Sequence, residues 1–256
     1  MLFMEEYKLK KYLSRIKYNK NIRANLDTII ELQKCHLLNI PFENLDIHNG
    51  TPIIIDVEKF YTKIVENKRG GFCYELNGLF NELLNVTGFK TFIVSARVFD
   101  TEVKYGDEFD HLAIIVSIDN EQWLADVGFG EFAFSPLKII MGIEQKDERG
   151  IFRINKFDEE YLVVQKQIPG GWKNEYLFSL IPRNISEFSD KCYYHQTSPA
   201  SSFTQKKLCS IPTQNGRITL TDKSLKITNN ESIEEKEIKN EEQFYQLLKE
   251  YFSIEF

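Results

Sequence analysis

Two adjacent glycines, then a phenylalanine, precede a cysteine in the run Arg69-Gly70-Gly71-Phe72-Cys73-Tyr74-Glu75-Leu76-Asn77-Gly78. From there the apolar residues Leu76, Leu79, Phe80, Leu83 and Leu84 recur at the spacing of one buried helical face. Gly88, after Asn85-Val86-Thr87, reads as the helix stop. The pattern predicts a helix that opens at Cys73 and has to bury one side. A thiol on the first turn feels the positive end of the helix dipole, which favours its thiolate. The glycines leave room for a backbone or a substrate to come close. A lone cysteine on a helix is more often a small core residue, so position alone does not make Cys73 a nucleophile.

The chain has four histidines, His36, His48, His111 and His195. His111 opens an extended run through Ile118 that is rich in β-branched residues. Asp119-Asn120-Glu121 reads as a turn, and residues 122–127 as the returning strand. A turn centred on Asp119-Asn120 sets Asp126 opposite Ala113. Asp126 then lies diagonal to His111 on the same face, because side chains two apart share a face. A slip of one residue would put them on opposite faces. Cysteine, imidazole and carboxylate together form a nucleophile, a base and an orienting group. From spacing alone the alternative also stands, in which Asp126 caps a turn and His111 is structural. His36 and His48 read as solvated or helix-end histidines.

Around these residues the pattern runs from helices to strands to a mixed tail. Residues up to about 90 read as mostly helical, with a stripe through Ile22, Leu26, Ile29 and Ile30. Pro41 breaks that pattern, and Phe42-Glu43-Asn44 reads as a connection. Residues 91–99, 150–155, 161–166 and 174–180 read as further strands, which predicts a small antiparallel barrel or sandwich. In the tail, 217–220 and 225–227 read as strands and 231–242 as a solvated loop and helix start. Asn240 with Gln243 resembles a capping box before a helix through Phe244, Leu247, Leu248 and Tyr251.

Composition removes several function classes. The 256 residues, 42% hydrophobic and 27% charged, suit a globular protein with a substantial core. A net charge of −6 argues against a general nucleic-acid binder. No apolar run reaches membrane-spanning length, and residues 1–6 turn charged without a signal-peptide pattern. Cys35, Cys73, Cys192 and Cys209 are scattered, with no Cys-x-x-Cys pair. These features predict a cytoplasmic protein with free thiols and no metal site.

Residues 69–78 closely resemble the signature of the arylamine N-acetyltransferases. Pro41-Phe42-Glu43-Asn44-Leu45-Asp46 resembles an earlier block of that family. Ala96-Arg97-Val98, His111 and Asp126-Val127-Gly128-Phe129-Gly130 follow in its order, and Ser201-Ser202-Phe203 and Tyr251-Phe252-Ser253-Ile254 resemble its later segments. The resemblance covers essentially the whole chain and is most specific at the cysteine block.

It implies an α+β fold: an N-terminal helical bundle, a central antiparallel β-barrel and a C-terminal α/β lid on a cysteine-protease-like triad scaffold. The implied divisions are 1–90 carrying Cys73, 91–195 carrying His111 and Asp126, and 196–256 as the lid. The implied activity is ping-pong transfer of acetyl from acetyl-CoA to arylamines, arylhydroxylamines or hydrazines. Cys73 would carry the acetyl group, His111 act as its base and Asp126 orient His111. Phe42, Val98, Phe129 and Phe203 would line an aromatic acceptor pocket, with Gly128 and Gly130 beside the cosubstrate. Arg69 and Glu43 would form a buried structural ion pair. The implied partners are small molecules, with no nucleic acid, membrane or metal, and the oligomeric state is left open.

The segment Tyr105-Gly106-Asp107-Glu108-Phe109-Asp110 is acidic where family members often carry small polar or basic residues, which argues against tight CoA binding there. An amide synthase or thiol hydrolase with the same triad is the alternative activity, and a scaffold that kept only binding is the third.

Overall fold

The computed structural model describes residues 4–101, 104–229 and 232–256. Helix α1 (Glu6–Arg15) is followed by α2 (Leu26–Asn39). Asn25 caps α2 by accepting the Thr28 N–H at 3.0 Å, so the helix starts at Leu26, and Ile22 packs on the core from the preceding loop. The inner face of α2 buries Ile29, Leu32, Gln33, His36 and Leu37. His36 stands in the last turn of α2, a helix-end histidine as expected, but it is not solvated. It is fully buried between the rings of Tyr12 and Phe80, with neither ring nitrogen hydrogen-bonded. Burial, with Arg15 nearby, pushes its pKa down to about 3, so it packs as a neutral aromatic ring.

Residues 42 and 43 form the short strand β1 (Phe42–Glu43) rather than a connection. Then come α3 (Leu45–His48), α4 (Val57–Tyr61), a π-turn at Thr62–Glu66 and α5 (Cys73–Val86). Helix α5 is buried on every face from Cys73 to Phe80, more than the single apolar stripe predicts, because other elements surround its first turns. It ends as expected, with Gly88 at φ +93°.

Eight antiparallel strands make a nearly closed barrel: β2 (Lys90–Val98), β3 (His111–Ile118), β4 (Glu121–Ala125), β5 (Leu137–Lys138), β6 (Gln145–Asp147), β7 (Gly150–Lys156), β8 (Leu162–Ile168) and β9 (Gly171–Phe178). Their order is β5-β4-β3-β2-β9-β8-β7-β6, and a bridge from Met141 to Ile154 draws the two ends together. Strand β3 is buried on both faces. Ala113 and Ile115 point into the barrel core, while Leu112, Ile114 and Val116 pack with the helical core around α5. That double burial explains its unbroken apolar sequence.

A 3₁₀ turn (Ile185–Phe188), α6 (Ser189–Thr197) and α7 (Ser202–Gln205) lead into the last sheet. Its strands are β10 (Leu208–Thr213), β11 (Gly216–Thr221), β12 (Ser224–Asn229) and β13 (Ile233–Glu237), in the order β1-β10-β11-β12-β13. Helix α8 (Glu241–Phe252) packs Phe244, Leu247, Leu248 and Phe252 against it. Residues 233–237 are thus an exposed edge strand and not the expected solvated loop; residue 231 lies outside the described part. The expected capping box is half made. Asn240 accepts the Gln243 N–H, but the Gln243 side chain turns back to the Lys239 N–H.

Candidate active site

The Gly70-Gly71 pair fixes where α5 begins. Gly71 donates to the Pro41 carbonyl and accepts from the Glu43 N–H. A Cβ on Gly70 would stand 2.1 Å from the Pro41 oxygen, and one on Gly71 would stand 2.8 Å from the Glu75 Cβ. Gly70 thus leaves space for the backbone at Pro41, and Gly71 for the Glu75 side chain. Glu75 closes the helix start by accepting the Phe72 N–H at 3.0 Å.

The β3–β4 hairpin carries the next two residues. Asp119 and Asn120 both sit at positive φ, 52° and 63°, the combination that a tight two-residue hairpin requires. Ile118 pairs with Glu121 and Ile114 with Ala125, which places Asp126 one step beyond the paired strand, opposite Ala113. His111 Nε2 lies 2.7 Å from Asp126 Oδ2. That oxygen also accepts the Tyr176 hydroxyl at 3.0 Å. Oδ1 accepts Asn77 Nδ2 at 2.8 Å and the N–H groups of Gly128 and Phe129 at 2.8 and 3.0 Å. Asn77 continues the network: its Nδ2 reaches the Leu112 carbonyl and its Oδ1 accepts the Val127 N–H. Gln33 of α2 accepts the Asp126 N–H. The fully buried carboxylate is thereby saturated with donors and held in one orientation.

Cys73 is 3% exposed and lines the same cleft as His111. Burial pushes its thiol well above the ordinary range, and the carboxylates of Asp110 and Asp126 push the same way; the Leu112 N–H opposes them. The helix start alone, expected to favour the thiolate, is outweighed by burial. A thiolate here needs a cation close by to offset that burial.

The cleft, of about 710 Å³, collects every residue that the sequence assigned to it: Phe42, Val98, Gly128, Phe129, Gly130 and Phe203. Phe203 lies 6.0 Å from Phe42 and Phe72 between ring centroids, and Phe129 lies 5.6 Å from His111 and 5.1 Å from Tyr176. Gly128 has a packing reason to be small, since a Cβ there would stand 2.8 Å from the Cys73 Cα and from Asn77 Nδ2. A Cβ on Gly130 would meet the Arg217 guanidinium at 4.0 Å, an ordinary contact, and its carbonyl accepts from Arg217.

Arg69 and Glu43 do pair, at 2.7 Å, but inside a larger cluster. Arg69 also meets Asp46 at 2.8 Å, and Lys63 meets Asp46 at 2.8 Å and Glu75 at 2.9 Å. Three carboxylates face two cations. Burial pushes Glu75 up to about 7 against the pull of Lys63. Burial pulls Lys63 down, but Glu75, Glu43 and Asp46 outweigh it and raise the amine.

Each carboxylate of the acidic segment 105–110 has a partner, but only Asp107 meets a close lysine. Glu108 meets Ser95 and Tyr161, Asp107 meets Lys191 at 2.9 Å, and Asp110 lies 3.3 Å from His195 Nε2. Lys104, Lys191 and Arg217 bring positive charge to the cleft. Asp100, Asp107, Asp110 and Glu131 line it as well, so the cleft keeps the acidic character that the sequence shows. Among the described residues no group of three or more His, Cys, Asp or Glu side chains is placed to hold a metal. Among them, too, no helix is long and apolar enough to cross a membrane.

The sequence pointed to Cys73, His111 and Asp126 but not to Asn77, Tyr176 or Gln33. Asn77 lies inside the quoted cysteine run, which was the one available signal. Tyr176 reaches the site from a strand 50 residues away from Asp126.

A family model described as N-acetyltransferase matches residues 25–256. Arylamine N-acetyltransferase 1 of Bos taurus is 34% identical over 268 residues, covering 95% of this chain and 92% of that protein. Arylamine N-acetyltransferase 1 of Homo sapiens is 31% identical with the same coverage. Among solved structures, the arylamine N-acetyltransferase of Salmonella typhimurium superposes with a TM-score of 0.91 at 26% identity, covering 98% of this chain and 92% of that one. Arylamine N-acetyltransferase C of Bacillus anthracis gives a TM-score of 0.90 at 25% identity, covering 99% and 100%.

Proposed function

The chain belongs to the arylamine N-acetyltransferase family, and from that premise we propose that it moves acetyl from acetyl-CoA to arylamines, arylhydroxylamines or hydrazines by way of acetyl-Cys73. Acetyl-CoA supplies the activated acetyl group. His111 points Nε2 at Asp126, which leaves Nδ1 to take the Cys73 proton. The thiolate attacks the thioester carbonyl, the bond to the coenzyme sulfur breaks, and His111 returns its proton to the departing thiol. In the second half-reaction His111 takes a proton from the attacking amine. The new N–C bond forms, and Cys73 leaves as the thiolate.

The buried 2.7 Å contact of His111 with a donor-saturated Asp126, in the cleft that Cys73 lines, carries this reading. Intact-mass spectrometry after incubation with acetyl-CoA and no acceptor tests it. The wild type is expected to gain one acetyl group and Cys73→Ala none. Undiminished acetylation in the alanine variant would sink the assignment. Rapid release of acetate without an acceptor would favour a thiol hydrolase instead.

A further inference from the structure

We infer that His195 is a positioning residue that tunes the Cys73 thiol by holding the carboxylate of Asp110 in check across the cleft. The inference rests on the reading of Cys73 as nucleophile and deepens it. His195, near the end of α6, is 6% exposed and lines the cleft with Cys73 and His111. Its ring is wedged among Phe203, Tyr194 and Tyr74, at centroid distances of 5.1, 5.6 and 6.2 Å. Nδ1 lies 3.2 Å from Ser201 Oγ and Nε2 lies 3.3 Å from Asp110 Oδ1. Nε2 makes no aligned hydrogen bond there, so its approach to Asp110 acts as an ion-pair contact when both ring nitrogens carry a proton.

Asp110 is built into the nucleophile's surroundings. It directly precedes His111. The Tyr74 hydroxyl, on the residue after Cys73, donates to the Phe109 carbonyl at 2.6 Å and lies 3.4 Å from that of Asp110. A Cβ on Gly106 would stand 2.6 Å from Asp110 Oδ2, so the missing side chain makes room for the carboxylate. Other charged and titratable groups also bear on the site. Cys73 feels Asp126 as well as Asp110, with Cys192 a weaker neighbour, and it shares the cleft with His111. Lys191 sits 3.7 Å from Asp110 but is closer, at 2.9 Å, to Asp107. Asp126 is answered by His111, Asn77 and Tyr176. Asp110 relies on His195 and the more distant Lys191. Its charge, left bare, disfavours the Cys73 thiolate, so the reactive limb of the profile moves to higher pH.

The test is the rate of Cys73 carboxamidomethylation by iodoacetamide across about pH 5 to 9, read by peptide mass. The proteins are the wild type, His195→Gln, Asp110→Asn and the double variant. His195→Gln is expected to slow the reaction at neutral pH by about threefold to tenfold. Asp110→Asn should move the reactive limb to lower pH, and the double variant should follow Asp110→Asn. Superimposable profiles for His195→Gln and the wild type overturn the inference. So does a loss that Asp110→Asn fails to reverse, which is the mark of a merely structural histidine. Should His195→Gln not fold, Asp110→Asn alone decides: an unmoved limb overturns the inference. Alkylation needs neither acetyl donor nor acceptor, so its outcome stands apart from that of the acetyl-transfer reading.

Discussion

Asp126 concentrates the logic of the site in one side chain. Each of its oxygens is engaged, so an amide in its place must turn an N–H toward groups that are themselves donors. Asp126→Asn is expected to lower turnover on the order of a hundredfold or more, because an amide cannot stabilise the His111 cation. The mismatch should also cost about 1–3 kcal/mol of stability. Turnover and thermal unfolding measured side by side check both effects. Near-normal turnover in the folded variant would reduce Asp126 to a turn residue. The three residues that the sequence singled out are chemically distinctive, and one hairpin fixes two of them. Asn77, Tyr176 and Gln33 escape such reading because a buried amide or phenol looks like any other in sequence; only the tertiary fold shows what it donates to.

At the scale of elements, local signals served well and long-range pairings did not. The positive-φ pair Asp119-Asn120 sets the β3–β4 register, and with it the position of Asp126, from within the hairpin. Strand β1 has no such signal. It exists because Phe42 pairs with Ser210 and Glu43 with Cys209, partners supplied by a distant part of the chain. Strand β13 is charged and exposed, as an edge that resists further pairing should be, and so it reads like a loop. The ion cluster joins α3, the π-turn, the segment before Cys73 and α5, and it makes stability depend on pH. Glu75 loses its proton near pH 7 in the fold, against a reference of 4.5. Between those values the native state binds more protons than the unfolded chain, so stability falls as pH rises through that window. Glu75→Gln removes this dependence. Its melting temperature, relative to the wild type, is expected to climb from about pH 5 to pH 7 and then level off. A constant difference across that range would mean that Glu75 stays ionised throughout.

For the whole molecule the question is what the cleft selects. Helix α5 supplies Cys73, the barrel supplies His111 and Phe129, and β1 and α7 supply Phe42 and Phe203, so the site is complete only where these parts meet. Asn44 ties the last of them down. Its Nδ2 donates to the carbonyls of Phe203 and Lys206, and its Oδ1 accepts the Leu208 N–H. The resulting walls are aromatic, and a flat acceptor gains burial there that a short alkylamine does not, at about 1.5–3 kcal/mol for a fully covered apolar group. Protonation acts in the same direction. An arylamine is neutral at pH 7 and can attack the thioester directly, whereas an alkylamine must first lose a proton. Aromatic amines and hydrazines are therefore expected to exceed alkylamines of similar size in kcat/KM. Phe129→Ala should weaken arylamine use, and because Phe129 also braces the His111 ring, acetyl-Cys73 formation should slow too, but less. Resolving the two half-reactions by rapid-quench mass spectrometry separates these effects. If simple alkylamines win the competition, or if Phe129→Ala slows only the first half-reaction, the aromatic walls do not select the acceptor and the amide-synthase alternative takes precedence.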